Sequence, residues 1–501
     1  MTAYLRPGVY VQETLNPVQP VVGPSSDSVA AFVGANDRGP TTPTLVTSWS
    51  QYVTKFGSWN TNASNDLPLG VYMFFANGGN RAYVTRVVGT SAVSATRTFN
   101  DRQGTPAATL TVTALNEGTW GNNINISVSN AAATGYFNLV VYYGGSSAAN
   151  IVEQWNELSM VSTDARYALK VVNNNSNYIT LANASSPATA PTNNPAVVSN
   201  QALSTGANGG SVSGTTISNA LSLYDTIEQS LILNAPGFTD DTTVNNLISY
   251  ADDRKDVFVV IDGVDDTVAN QLTLAASYTA SSAAAVYYPQ ITIADPTVTV
   301  GSPAGATKTI GAGAAVAGLY AATDASRGVF KAPAGLQARL AGAVSVASLT
   351  SSELDSLNSA SAAVNAIRFI SGSGIVVFGS RTLKAGYIDR YVPVRRTLIY
   401  LEKSLKDLTR FAIFEPNDAR LWSRLDATVS SFLTSFWTQG GLTGSTPSQA
   451  FFVKVDAENN SQASVDNGIV NIQVGVALQR PAEFVVINIG QYSGGTTVTV
   501  A

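Results

Sequence analysis

The sequence predicts a multidomain chain that combines α/β and α+β parts: a central α/β domain, an inserted all-β domain, and an α+β C-terminal domain with extended arms at both termini. Three observations predict it. At 501 residues the chain is too long for one ordinary core, and length alone points to about three domains. Residues 257–261 form a continuous apolar run between helical patterns at 244–250 and 268–278, which reads as a parallel sheet covered on both faces. From about 91 to 213 the sequence turns to Thr, Asn, Ala and Gly with short alternating runs, the signature of an all-β insertion.

In chain order, residues 4–15 alternate weakly, with Val9 and Val11 against Tyr10 and Gln12, and Pro17, Pro20 and Pro24 follow. They predict an extended arm on a stiff tether. The apolar stretch 29–34 predicts a buried strand, and Gly39-Pro40 a turn. A helix is expected over 68–77, stopped by Gly78-Gly79, and a strand over 81–88. Within the β-rich region, 109–114, 123–129 and 137–143 alternate as strands, whereas 183–214, rich in Pro, Asn, Ser and Gly, reads as loops or a linker. The α/β pattern resumes at Ile217. After Asp389 come two amphipathic helices, over 398–412 and 417–437, then strands at 451–456, 468–478 and 483–490, and a last alternating stretch through Val498 and Val500. No internal repeat of solenoid period is present.

Composition removes most chemistry. The chain is 45% hydrophobic but only 12% charged, roughly half the charge of an average soluble domain, so its surface is poorly protected against self-association. A net charge of −5 provides no overall positive field for nucleic acid. Residues 1–10 have no apolar run and no segment approaches ~20 apolar residues, so neither export nor membrane insertion is expected. There is no cysteine and no histidine, which excludes disulfides, thiol nucleophiles, Ser-His-Asp and Cys-His catalysis and the common zinc sites. No enzyme activity and no cofactor are expected.

Three clusters stand out as candidate sites. Gly311, Gly313 and Gly318 invite a dinucleotide reading, but the third glycine of that fingerprint falls on Val316, and Asp324 follows Gly313 by 11 positions where about 20 are wanted. A helix packing closely on the sheet through Gly318 is preferred. Asp240, Asp241, Asp252, Asp253, Asp256, Asp262, Asp265 and Asp266 could hold calcium, but they flank helix starts and strand ends, where Asp caps free N–H groups. Residues 381–424 hold ten Lys or Arg against five Asp or Glu. On the helix expected over 398–412, Leu398, Leu401, Leu405, Leu408 and Ala412 form an apolar stripe with Lys403, Lys406 and Arg410 nearly opposite, a basic face suited to an acidic protein partner.

Several phrases in order resemble the phage contractile tail sheath proteins: Pro7-Gly8-Val9-Tyr10-Val11 at the start; 31–34, 38–40, 56–57 and 74–79 in a first α/β segment; 317–324, 327–334 and 365–368 centrally; and 374–383, 391–396, 414–417, 437–444, 450–456 and 481–491 toward the end. The region 91–215 lies outside the resemblance. The resemblance implies an N-terminal arm (1–22), an α/β segment (23–90), an outward-facing insertion (91–215), a central domain of subtilisin-like but non-enzymatic fold (216–384), a tube-facing C-terminal domain (385–490) and a C-terminal arm (491–501). It further implies arm strands at Val9, Tyr10, Val11, Val498 and Val500 that add to an acceptor sheet of neighbouring subunits at Val474, Val476, Val485, Ile487 and Ile489, with Lys403, Lys406 and Arg410 toward the tube.

The implied partners are further copies in hexameric rings of a helical sheath, an inner tail tube protein, and baseplate and tail terminator proteins, with no nucleic acid and no membrane insertion. The implied place is the virion tail, assembled in the host cell cytoplasm, or else a bacteriocin-like or cellular contractile injection system. A β-rich surface adhesin, motivated by the Thr/Asn-rich region, would want the export signal that is missing. An α/β hydrolase using Ser-Lys or paired carboxylates would want a nucleophile elbow, and none is evident.

Overall fold

Strand β1 (Val29–Ala35) is buried along almost its whole length and pairs in parallel on both sides, which is what an uninterrupted apolar run requires. It opens the described part of a computed structural model covering residues 29–61, 63–298, 305–386 and 390–484. Next come β2 (Thr44–Val46), α1 (Trp49–Phe56), α2 (Asp66–Ala76) and β3 (Ala82–Val87). The excursion that follows contains β4 (Thr96–Asn100), β5 (Ala108–Ala114), β6 (Ile124–Asn130), β7 (Phe137–Tyr143), β8 (Ile151–Leu158), α3 (Ala168–Asn173), β9 (Ile179–Asn183) and β10 (Val198–Ala202). The chain returns through α4 (Gly214–Leu221), β11 (Leu231–Asn234), α5 (Asp241–Arg254), β12 (Val257–Asp262), α6 (Val268–Ser277) and β13 (Ala284–Tyr288). Then come β14 (Ile291–Ala294), β15 (Thr307–Ile310), α7 (Gly313–Arg327), β16 (Ala343–Val346), α8 (Ser351–Ser359), β17 (Val364–Ile370) and β18 (Gly374–Val377). The last elements are α9 (Val392–Leu408), α10 (Ala419–Thr438), α11 (Pro447–Ala450), β19 (Phe451–Lys454), α12 (Gln462–Asp466) and β20 (Gln473–Val476).

Of the described residues, 401–477 form one compact unit and the remainder another. The larger is built on an eight-stranded sheet in the order β18-β17-β13-β12-β11-β1-β3-β2, parallel except at its two edge strands. Alternation along each strand divides the core in two. Phe32, Ile232, Phe258 and Tyr287 face α1, α2 and α7, while Val33, Leu233, Val259 and Val286 face α4, α5, α6 and α8. The helix starts are capped as their sequences foretell. Asp240 accepts from the Thr243 amide at 2.9 Å, and Thr350 and Glu353 close a capping box on α8.

The excursion has its own core, in which Leu110, Ile126, Leu139 and Val141 gather around Trp120 between the antiparallel sheets β4-β5-β9 and β10-β6-β7-β8. Two expectations need correction here. Helix α3 means that the region is not purely β, and the presumed linker contains β10, which pairs with β6 across an irregular register. The two ends of the excursion run side by side, with bridges at Val93–Ala207 and Thr96–Ser204. Arg86, 2% exposed, fixes its base by donating to the carbonyls of Asn36, Asp37 and Glu117 at 2.7, 3.0 and 2.7 Å.

Helix α7 does begin at the glycine-rich stretch, but Gly318 meets a helix and not the sheet. A Cβ there would fall well inside contact distance of the Phe74 carbonyl oxygen on α2 and 3.1 Å from the Cβ of Asn77. Gly318→Ala should therefore cost about 1–3 kcal/mol by overpacking against backbone that cannot yield. Urea titration of the purified chain measures it, and an unchanged midpoint would show that α2 and α7 separate easily.

Candidate functional site

The place where a dinucleotide phosphate would sit is filled by the chain itself. The Asp262 carboxylate, at the end of β12, accepts from the Gly313 amide at 2.6 Å and the Gly237 amide at 3.0 Å. Gly313 leaves no more room, since a Cβ there would be 2.5 Å from Asp262 Oδ1. Burial pushes the Asp262 carboxyl up to about 6, against the pull of its two amide donors. An internal carboxylate thus takes the positive end of α7 that would otherwise attract an anion.

The other carboxylates mostly have similar local tasks. Asp252 accepts from Ser281 Oγ at 2.7 Å, Asp256 pairs with Arg254 at 2.6 Å, and Asp266 accepts from the Thr267 amide at 2.6 Å. Among the described residues no group of three acidic side chains could hold a metal ion.

In the unit 401–477, α10 packs Leu421 and Leu425 against Val453 and Val455, next to the antiparallel pair β19·β20. Val474 and Val476 lie on β20, opposite Val453 and Phe451. Among the described residues this sheet has only two strands, fewer than the three or so needed for independent stability, and Phe452 remains 53% exposed. The other expected sheet and arm residues, Val9, Tyr10, Val11, Val485, Ile487, Ile489, Val498 and Val500, lie outside the described residues.

The expected basic face is altered in two ways. Helix α9 starts earlier than the apolar stripe indicates and ends at Leu408, so Arg410 sits in the 3₁₀ turn beyond it. Lys403 is 7% exposed, with its ammonium 3.2 Å from Asp407 Oδ1, and Arg410 lies 3.2 Å from the same oxygen. Spacing placed Lys403 opposite the stripe, but burial and a partner one turn on withdraw it from the surface. Lys406 is exposed.

Two ion pairs in the larger unit went unread in the sequence, because their partners are 72 and 102 residues apart. Arg396, in the first turns of α9, holds Asp324 of α7 with both terminal nitrogens, at 2.9 and 2.5 Å, and stacks 4.5 Å from the Tyr320 ring. Tyr320 in turn shares a hydrogen bond with Tyr287. Arg381 grips Glu483 at 2.7 and 2.6 Å and also donates to the Asn358 carbonyl at 2.6 Å, which fastens residues 478–484 to this unit.

Two family models match in succession: the phage tail sheath protein central domain over residues 210–383 and the phage tail sheath C-terminal domain over residues 390–491. Among curated proteins none matches. The contracted sheath complex of an extracellular contractile injection system is similar over 98% of this chain and 99% of its own, with 24% identity and a TM-score of 0.60. The contracted helical sheath of the anti-feeding prophage is similar over 98% and 100%, with 22% identity and a TM-score of 0.57. A sheath tail protein from Listeria innocua is similar over 91% and 96%, with 14% identity and a TM-score of 0.61. At these identities the likeness establishes a shared multidomain α/β architecture.

Proposed function

The chain belongs to the phage tail sheath family, whose two domain models together take in more than half of it, and from that premise we infer that it is one of many identical subunits of a contractile sheath. Its work is structural and no chemistry is involved. The carrying observation is the succession of both sheath domains in one chain. We propose that subunits stack as hexameric rings around an inner tube, engage a baseplate and a terminator, and contract to drive the tube through a cell envelope. The central sheet would be the subtilisin-like body (216–384), the excursion (91–215) would face outward, and residues 385–490 would face the tube. Assembly would take place in the cytoplasm of the producing cell, and among the described residues no helix is long and apolar enough to cross a membrane.

In this reading the terminal arms add strands to the β19·β20 pair of neighbours. The compact bodies then shift as rigid units between an extended and a contracted lattice while the arms preserve connectivity. The injection-system sheaths that match over nearly all of both chains support a second reading, in which the sheath belongs to such a system and not to an infectious phage. The adhesin reading has no comparable support. Electron microscopy of the purified chain, alone and with its co-expressed tube protein, tests the function. Regular tubes are expected, and a chain that stays monomeric in every assembly condition would overturn the reading.

Lys406 and Arg410 remain the proposed tube contacts. Replacing both by Gln should weaken co-sedimentation with the tube several-fold at low salt and have little effect near 0.5 M, where surface charges are screened. Lys403→Gln should instead lower the stability of the unit 401–477, because it leaves Asp407 with one cation fewer. Equal loss of tube binding from Lys403→Gln without loss of stability would refute that division of roles.

A further inference from the structure

Beside β17, next to the β18 edge of the central sheet, lies a cleft of about 690 Å³. Arg368 reaches it from β17, Arg327 and Lys331 from the end of α7 and the loop after it, and Arg480 from the segment 478–484. Asp355 and Glu483 are the acidic residues lining it, and Glu483 is already held by Arg381. Among the described residues Arg327, Lys331 and Arg368 make no ion pair. The Lys331 ammonium donates to the Ala332 carbonyl at 2.8 Å, which leaves two of its three protons for another acceptor. Desolvation, and then the nearby Arg327 charge, hold its pKa below the usual lysine range. The Arg368 guanidinium stacks 5.5 Å from the Phe378 ring, an arrangement that keeps its N–H edge available. A carboxylate entering here would relieve crowded positive charge.

The complementary surface is on the same chain. Strands β11 and β12 are parallel neighbours, so the loops leaving their carboxyl ends emerge side by side. Asp240 and Asp241, at the start of α5 after β11, and Asp265 and Asp266, in the loop after β12, are all exposed and, among the described residues, without an ion-pair partner. We propose that the basic cleft of one copy receives this acidic edge of a second copy. Two such patches on one body can close as a two-fold pair, with both contacts formed at once, or repeat as an open head-to-tail series. The sheath reading, on which this step rests, selects the series. Opposed charge of this kind sets register and rejects wrong pairings more than it adds raw affinity.

The chain has no cysteine, so introduced cysteines report one contact without background. Full-length chain carrying Lys331→Cys with Asp265→Cys, assembled and then oxidised, should run as a covalent ladder extending beyond the dimer, whereas either substitution alone stays monomeric. A product that stops at the dimer would overturn the head-to-tail series. In parallel, Lys331→Glu with Arg368→Glu should lower the yield of tubes at least tenfold at 0.1 M salt, and adding Asp265→Lys with Asp266→Lys to the same chain should restore it. Tubes from the unaltered chain, together with no cross-link above the single-cysteine controls, would overturn the contact and leave the sheath function standing. If the unaltered chain forms no tubes, the sheath reading fails, and oxidation of the concentrated cysteine-pair chain still decides the contact. Should the charge reversals fail to fold, which circular dichroism would show, the cysteine pair decides alone.

Discussion

Arg396→Met, with Asp324 left in place, is expected to destabilise the larger unit by about 3–5 kcal/mol, the cost of stranding one member of a buried ion pair. The side chains of Arg396 and Asp324 are 2% and 8% exposed, so little water reaches the carboxylate once the guanidinium is gone. The substitution also removes the stacking contact with Tyr320, whose hydroxyl is committed to Tyr287. Restoring neutrality should restore most of the loss: Arg396→Met combined with Asp324→Leu leaves no buried charge and is expected to lie within about 1–2 kcal/mol of the parent. Urea unfolding followed by tyrosine and tryptophan fluorescence reads both. A single substitution costing under about 1 kcal/mol would mean that the carboxylate finds water or another cation, and the pair would lose its standing as an anchor of α9.

Deleting residues 1–14 together with 490–501 is expected to convert tubes into folded monomers. An arm of five or six residues can form about five inter-strand hydrogen bonds worth ~1 kcal/mol each net, while ordering its backbone costs ~1–2 kcal/mol per residue. One arm therefore barely breaks even, and arms hold only where several neighbours are engaged at once. That arithmetic predicts a steep response. Removal of one arm should raise the concentration needed for tubes, and removal of both should abolish them even at high concentration. In the proposed reading the β19·β20 pair, two-stranded among the described residues, is the receiving surface. Sedimentation velocity with electron microscopy measures it, and normal tubes from the doubly truncated chain would place the connections between subunits elsewhere.

The strongest periodic signals were legible from residues alone. Val257–Asp262 is buried throughout, as its unbroken apolar run requires, and α10 buries Leu421, Leu425, Val429, Leu433 and Phe436 at helical spacing. What escaped was set by partners distant in sequence. Val198–Ala202 has no apolar alternation to announce it, and its pairing to β6 supplies the ladder that its composition does not. The glycines of α7 correctly signalled close approach, yet which surface each one approaches depends on Phe74 and Asp262, 244 and 51 positions away from Gly318 and Gly313. A helical projection placed Lys403 outside because it carries no information about what covers that side. Asp407, which draws two cations together, counted in the sequence only as one of five local acids.

The neighbouring ends of the β-rich excursion have a consequence for variation. Because residues 93 and 207 are already bridged, and a Cβ on Gly89 would collide with the Gly210 backbone, the chain enters and leaves the excursion through one doorway, beside which Arg38 stacks on Tyr178 and Arg86 donates to the Glu117 carbonyl. Exchanging that content changes the length of one closed loop, and loop-closure entropy rises only by about 0.6 kcal/mol per doubling of length. A protein engineer could thus graft a foreign domain at the same doorway at little cost in closure entropy, provided the graft supplies partners for Arg38 and Arg86 in place of Tyr178 and Glu117.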